Sequence, residues 1–278
     1  MRKLCSSKIK NLIFFPSNLG QKKNGVERGP SLISRAIFNK EKKNNFTKSK
    51  KVWLNLEKSN SIYDNLELLY EANDNIKGPR VNIGGDHSMA IATVAHSLNN
   101  YEGLKIIWID AHADINTSYS SDTGNIHGMP LGYLTNLDTN ENFYYICNHL
   151  SFKDILYIGI RDIDKFENNV IKDIDVIDTD EFNNSKTIDK IDSFIGNNPI
   201  HLSLDIDGLD PSYMPSTGTT SGKGLNLDLV KNLLDHLYEN KKKQIKNVDI
   251  SEFNPKIGSS EDVSKTLKNI MYLFDRYI

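Results

Sequence analysis

The sequence predicts an α/β protein: a parallel sheet with helices packed on both faces. Two observations carry that prediction. Strand-like and helix-like segments alternate about seven times along the chain, and several strand-like segments are apolar throughout rather than at every second position. LKIIWID and DILYIGI, rich in Ile, Leu, Tyr and Trp, have the character of strands buried on both sides. In chain order the strand candidates are Ile9–Phe15, Lys51–Leu56, Arg80–Ile83, Leu104–Ile109, Ile155–Ile160, Val176–Asp178, Ile200–Ile206 and Ile245–Ile250. Helix-like stretches lie between them at Pro30–Phe38, Ile62–Asn73, Met89–Leu98, Leu227–Tyr238 and Ser260–Tyr277. The polar, basic stretch Lys40–Lys51 reads as a surface loop. No linker or internal repeat divides the chain, so residues 1–278 read as one domain.

Composition narrows the class of protein. With 38% hydrophobic and 25% charged residues over 278 positions, the chain resembles ordinary globular proteins and is long enough to bury a sizeable core. No stretch approaches the roughly 18–20 apolar residues of a membrane-spanning helix. The start, MRKLCSSKIKNLIFF, is lysine-broken and lacks a small-residue cleavage site, so no signal peptide is expected. A net charge of −2 argues against nucleic acid or a membrane surface as partner. Cys5 and Cys147 match no metal or redox spacing, which suits a reduced, cytoplasmic setting. Asn occurs 32 times, dispersed along the chain, and reads as background bias rather than a functional tract.

Ligands of open parallel sheets bind beyond the carboxyl ends of the strands, and there the sequence is chemically uniform. GGDHS follows the third strand candidate, DAHADIN the fourth, DIDGLDP the seventh and SEFNP the eighth. Asp110, His112 and Asp114 alternate, as do Asp205 and Asp207, and in extended backbone alternate side chains share a face. A single Asp after a strand usually caps a turn. His87, Asp110, His112, Asp114, Asp205 and Asp207, gathered in three strand-end clusters, exceed what capping explains. Four carboxylates in one cleft repel unless cations neutralise them, and two divalent ions would balance four Asp. Hard oxygen ligands with imidazole and no thiolate favour Mn²⁺, with Fe, Co and Zn as alternatives. His96, His149, His201 and His236, with no acidic pattern beside them, read as structural or surface residues.

GGDHS, DAHADIN, HGMP, SLDIDGLDPSYMPSTGTT and SEFNP, in this order, resemble the ureohydrolase superfamily of arginases, agmatinases and formimidoylglutamases. The likeness runs from GVERGP (Gly25–Pro30) to the last helix. It implies a three-layer α/β/α sandwich around a central, mainly parallel eight-stranded sheet, and a centre of two Mn²⁺. One ion would be held by His87, Asp110, Asp114 and Asp205, the other by Asp110, His112, Asp205 and Asp207, with Asp110 and Asp205 bridging.

Within the superfamily, the loop Ile115–Pro130 and the segment GIRDID look like those of arginases. By that match Asn116, Ser121 and Thr123, with Asn125, would bind the α-carboxylate of an amino acid, a task their amide and hydroxyl donors suit. Asp164, with Glu167 nearby, would bind the α-ammonium group, although an Asp there also suits a helix cap. Thr219 would contact the guanidinium end and Glu252 would pair with it. Asp114 would orient a metal-bridging hydroxide and take its proton. His127, with a pKa near neutrality, would shuttle protons to the leaving amine. The implied reaction is hydrolysis of L-arginine to L-ornithine and urea. The alternatives are another ureohydrolase, acting on agmatine or a guanidino acid, or a catalytically silent relative that binds. The likeness also implies a homo-oligomer, a trimer or hexamer, although the chain closes at Ile278 where longer arginases continue into a tail that helps trimer contacts. Three positions depart from the pattern: Thr220 replaces a Pro, Lys223 replaces a Gly, and Asp122 adds a negative charge to the substrate loop.

Overall fold

Strands whose every position is apolar bury both faces, and the folded chain realises this in a single sheet. The computed structural model describes residues 9, 11–44, 49–57, 60–182 and 187–278; Cys5 and residues 45–48 of the expected loop lie outside the described residues. The strands are β1 (Asn11–Phe15), β2 (Lys50–Trp53), β3 (Arg80–Gly84), β4 (Lys105–Ile109), β5 (Ile155–Ile158), β6 (Asp175–Ile177), β7 (Ile200–Asp205) and β8 (Ile245–Ser251). They form one eight-stranded sheet in the order β2-β1-β3-β8-β7-β4-β5-β6, every pair parallel. Each expected strand is present with its ends moved by up to three residues: β4, β5 and β7 are shorter than expected, and β3 and β8 are one residue longer.

Helices cover both faces: α1 (Gly29–Asn44), α2 (Ile62–Asp74), α3 (Met89–Asn100), α4 (Pro130–Leu134), α5 (Lys165–Val170), α6 (Thr179–Phe182), α7 (Thr187–Ile195), α8 (Leu227–Asn240) and α9 (Ser260–Leu273). Alternate residues of one strand feed opposite cores. Ile106 and Trp108 of β4 join the apolar cluster with Leu66 of α2 and Ala92 of α3. Ile107 and Ile109 join the cluster with Ile33 of α1, Leu233 of α8 and Ile270 of α9.

Two expectations are corrected. Lys40–Lys51 is not a loop from its start: α1 continues to Asn44, and β2 opens at Lys50. Lys and Glu are good helix formers, and Lys42 and Lys43 in the last turn suit the negative end of the helix dipole. The described residues also include four short helices, α4 to α7, that hydrophobic periodicity did not show. Local hydrogen bonding starts α5: Asp164 accepts from the Glu167 N–H, and Glu167 accepts from the Asp164 N–H, a capping box.

Candidate active site

The chain leaves β3 on one side of β8 and β7 and resumes at β4 on the other, so a crevice opens above the carboxyl ends of these four adjacent strands. His87 follows β3, Asp110 follows β4, Asp205 ends β7 and Glu252 follows β8. Gly85 allows the turn after β3, because a Cβ there would stand 1.7 Å from the Ser17 carbonyl oxygen.

Two ligand sets share one carboxylate. Donor atoms of His87, Asp110 and Asp114 lie within 4.8 Å of one another, as do those of Asp110, His112 and Asp207. His87 Nδ1 is 3.1 Å from Asp110, 3.0 Å from Asp114 and 3.4 Å from Asp205. His112 Nδ1 is 3.5 Å from Asp110 and 3.3 Å from Asp207. Five of the six residues expected to hold metal fall in these sets, and Asp205, expected to bridge, stands beside His87 but in neither set. Their route is not an extended strand, however: Asp114 sits in the left-handed region at φ 48, and Asp207 lies in a 3-10 turn, Ile206–Gly208. The backbone of Asp114 is pinned by Leu131 N–H donating to its carbonyl at 2.9 Å.

The surroundings fit a cation. His87 Nδ1 is buried and makes no hydrogen bond, while Nε2 pairs with Ser203 Oγ at 2.8 Å. Nδ1 thus faces the carboxylates of Asp110, Asp114 and Asp205, where a metal could take the place of its proton. The ring stacks on Trp108 at 4.3 Å, and Trp108 Nε1 donates to Asp110 at 3.0 Å. Burial raises the Asp205 carboxyl well above its usual range, and Asp207 and Asp110 push it further. Asp207 is pushed up to about 6 by burial and by Asp110. Burial lowers imidazole pKa values, yet Asp110 and Asp114 overcome it to raise His87, and Asp110 with Asp207 lifts His112 to about 12. Positive charge is demanded at two points, and two divalent ions would satisfy four Asp at those points.

The substrate side of the crevice is a cavity of about 270 Å³ lined by His112, Asp114, Asp205, Asp207, His127 and the loop that follows β4. Asn116, Ser121, Thr123, Asn125, Asp164, Glu167 and Thr219 all line it. Several are already engaged. Asn116 Nδ2 donates to Asp164 at 2.6 Å, and Asn116 Oδ1 accepts from Ser120 at 2.8 Å. Thr219 Oγ1 donates to Asp207 at 2.9 Å, so its hydroxyl positions an expected metal ligand. Glu167, pushed up to about 7 by burial and then by Asp114, also accepts the Ile115 N–H at 3.3 Å.

The expectation of a near-neutral His127 is overturned. Its Nδ1 lies 3.0 Å from Glu252 Oε1, and that carboxylate outweighs burial to raise the imidazole to about 9. Glu252 is buried, in the left-handed region at φ 67, and held by its N–H donating to the Gly85 carbonyl at 2.8 Å.

Three contributors escaped the sequence reading. Gln21 donates to both oxygens of Glu252, at 3.0 and 2.8 Å. Asp86, pushed up to about 6 by burial and Glu252, accepts the Gly20 N–H at 2.9 Å. Arg161 donates to the carbonyls of Gly159, Asp207, Gly208, Ser221 and Gly222. It clamps the loop in which Thr220 and Lys223 depart from the pattern, and Lys223 occupies φ 57, where Gly costs nothing. Only the GIRDID motif hinted at Arg161; nothing local flagged Gln21.

These features define an α/β/α protein with a carboxylate-rich candidate metal cradle at the switch point of its sheet. The Arginase family model matches residues 11–274. The arginase of Entamoeba histolytica is 33% identical over 94% of this chain and 96% of its own length, and Arginase-1 of Bos taurus is 31% identical over 91% and 87%. The solved E. histolytica arginase, in complex with L-ornithine, superposes with a TM-score of 0.84 at 30% identity, covering 97% of this chain and 99% of that one. The Bacillus subtilis arginase gives the same TM-score at 29% identity, over 96% and 98%. The chain belongs to the Arginase family and is a hydrolase of amidine C–N bonds. Among the described residues, no helix is long and apolar enough to cross a membrane.

Proposed function

We propose that this protein is a manganese-dependent arginase, hydrolysing L-arginine to L-ornithine and urea, with residues 1–278 acting as one cytoplasmic domain that assembles as a trimer or hexamer. The observation that carries the reading is the pair of carboxylate–imidazole sets sharing Asp110, placed beneath a loop of hydroxyl and amide side chains. The L-ornithine in the E. histolytica arginase is the product this reaction would release.

His87, Asp110, Asp114 and Asp205 would hold one ion and Asp110, His112, Asp205 and Asp207 the other; their hard oxygens and imidazoles suit Mn²⁺. When bound, the ions supply Lewis acidity and bring the pKa of a water to near neutrality. The remaining work belongs to the chain. Burial and Asp110 raise Asp114, which suits its carboxylate to keep a proton. Glu252 would align the guanidinium by carboxylate pairing. His127, cationic below about pH 9, is set up as the acid that protonates the leaving amine. Asp164 and Glu167 would face the α-ammonium, and Asn116, Ser121, Thr123 and Asn125 the α-carboxylate.

One observation favours a second reading. Asp122, Asp162 and Asp164 all line the cavity, whereas among the described residues no Lys or Arg does. Such an acidic wall suits agmatine, which has an ammonium group but no carboxylate. The deciding experiment loads the protein with Mn²⁺ and measures urea release from arginine, agmatine and guanidinobutyrate. Release from arginine is expected; release from agmatine alone would replace the proposal. No release with two Mn²⁺ bound would leave a binding protein. His127→Ala should cut turnover about 10²–10⁴-fold with two Mn²⁺ retained, and metal loss in that variant would remove the proton-transfer role.

A further inference from the structure

The segment between β1 and α1 is stitched into the active site by consecutive residues. The Gly20 N–H donates to Asp86, and its carbonyl accepts from the His127 N–H at 3.1 Å. Gln21 Nε2 bridges both oxygens of Glu252. Lys22 Nζ donates to the Thr123 carbonyl at 3.0 Å, and Lys23 Nζ to the Gly218 carbonyl.

Glu252 is heavily engaged, three contacts falling on Oε1 and one on Oε2. Its Oε1 accepts from the His87 N–H at 2.9 Å, from His127 Nδ1 at 3.0 Å and from Gln21; its Oε2 accepts from Gln21 at 2.8 Å. A carboxylate has about four lone-pair sites, and a guanidinium paired side-on needs one on each oxygen. Gln21 holds one on each. Glu252 is 1% exposed and is not among the residues lining the cavity. We propose that Gln21 and the substrate guanidinium compete for Glu252: the Gln21 carboxamide must give way before the amidine can pair, so Gln21 sets affinity for the guanidinium end. The inference rests on the amidine-hydrolase reading above.

Gln21→Met retains the side-chain length and removes the donor. The Mn²⁺-loaded wild type and variant are titrated with guanidinium chloride against sodium chloride at matched ionic strength, following the thermal midpoint and the inhibition of urea release. The variant should bind guanidinium about three- to tenfold more tightly, with KM for the amidine falling by a similar factor and kcat moving less than KM. Gln21→Ala should move both quantities in the same direction, which separates the loss of the donor from any packing effect of Met. Unchanged or weaker guanidinium binding in both variants, or a raised KM, would overturn the proposal and make Gln21 a brace that holds Glu252 in place. The midpoint shift requires no turnover. If neither protein releases urea but the variants bind guanidinium more tightly, the competition stands and only the proposed reaction fails.

Discussion

On the side covered by α1, α8 and α9, the central strands present Val81, Ile83, Leu202, Leu204, Val248 and Ile250, all buried in one apolar cluster. On the side covered by α3, the same strands present Asn82, His201, Ser203, Asn247 and Asp249, equally buried. The second face is tolerable because its groups satisfy one another. Asp249 accepts from Asn82 at 2.7 Å, pairs with His201 Nε2 at 3.0 Å and takes the hydroxyl of Thr93 on α3. Asn247 accepts from Asn82 at 2.7 Å and donates to the Thr93 carbonyl and Ser97 Oγ, both at 3.3 Å. His201 Nδ1 lies 2.9 Å from Ser97 Oγ. One strand position higher, Ser203 meets His87 Nε2, so the polar face ends against a proposed metal ligand. One side of the sheet thus supplies cohesion while the other supplies orientation, since hydrogen bonds fix directions that apolar packing leaves free.

The sharpest way to break this division is Asp249→Ala, which strips Asn82, Thr93 and His201 of their common acceptor. A loss of about 3–5 kcal/mol is expected, measured by urea unfolding. A loss under about 1 kcal/mol would show that water or neighbouring groups replace the carboxylate. On the other face, Leu204→Ala should cost about 3 kcal/mol through the cavity it leaves while metal stoichiometry stays at the wild-type value; depleted metal would blur the distinction. Ser203→Ala reverses that pattern, costing about 1 kcal/mol but weakening metal binding about 10- to 100-fold in a competition titration.

The smallest effect is one of pH. His96 on α3 faces Arg80, at 3.5 Å, and burial, then Arg80 and His201, push its imidazole down to about 4; Asp74, 3.8 Å away and largely exposed, does not offset them. The unfolded chain, with a His pKa near 6.5, binds this proton first. Stability should therefore fall as pH drops from about 6.5 towards 4 and gain no further slope from His96 below that. In urea midpoints taken across that window, His96→Gln should flatten the decline. An unchanged slope would assign the decline to other groups.

Much of the architecture was legible because hydrophobic burial leaves a local signature: LKIIWID and DILYIGI announce their strands, and GGDHS, DAHADIN and DIDGLDP announce a charged crevice at the strand ends. The short helices were not legible. In α5 the stabilising bonds link Asp164 and Glu167 within one turn, and no apolar stripe marks it. The polar face under α3 was equally hidden: His201 gains Asp249 from another strand, a partner 48 residues away. The same reason explains the correction at His127. An imidazole reads as near-neutral in sequence, but Glu252, 125 residues later, lies 3.0 Å from it in space.

The order of amino acids alone thus determined the parallel α/β layering and the kinds of ligand gathered at its carboxyl edge. Both depend on side-chain chemistry that each short segment carries with it. Only the tertiary structure decided that Asp114 and Glu252 sit in left-handed backbone, that Gln21 caps the acid expected to meet the guanidinium, and that Ser203 orients His87. Those outcomes require atoms remote in the chain to be brought within hydrogen-bond reach, and the strand order of the sheet sets those distances.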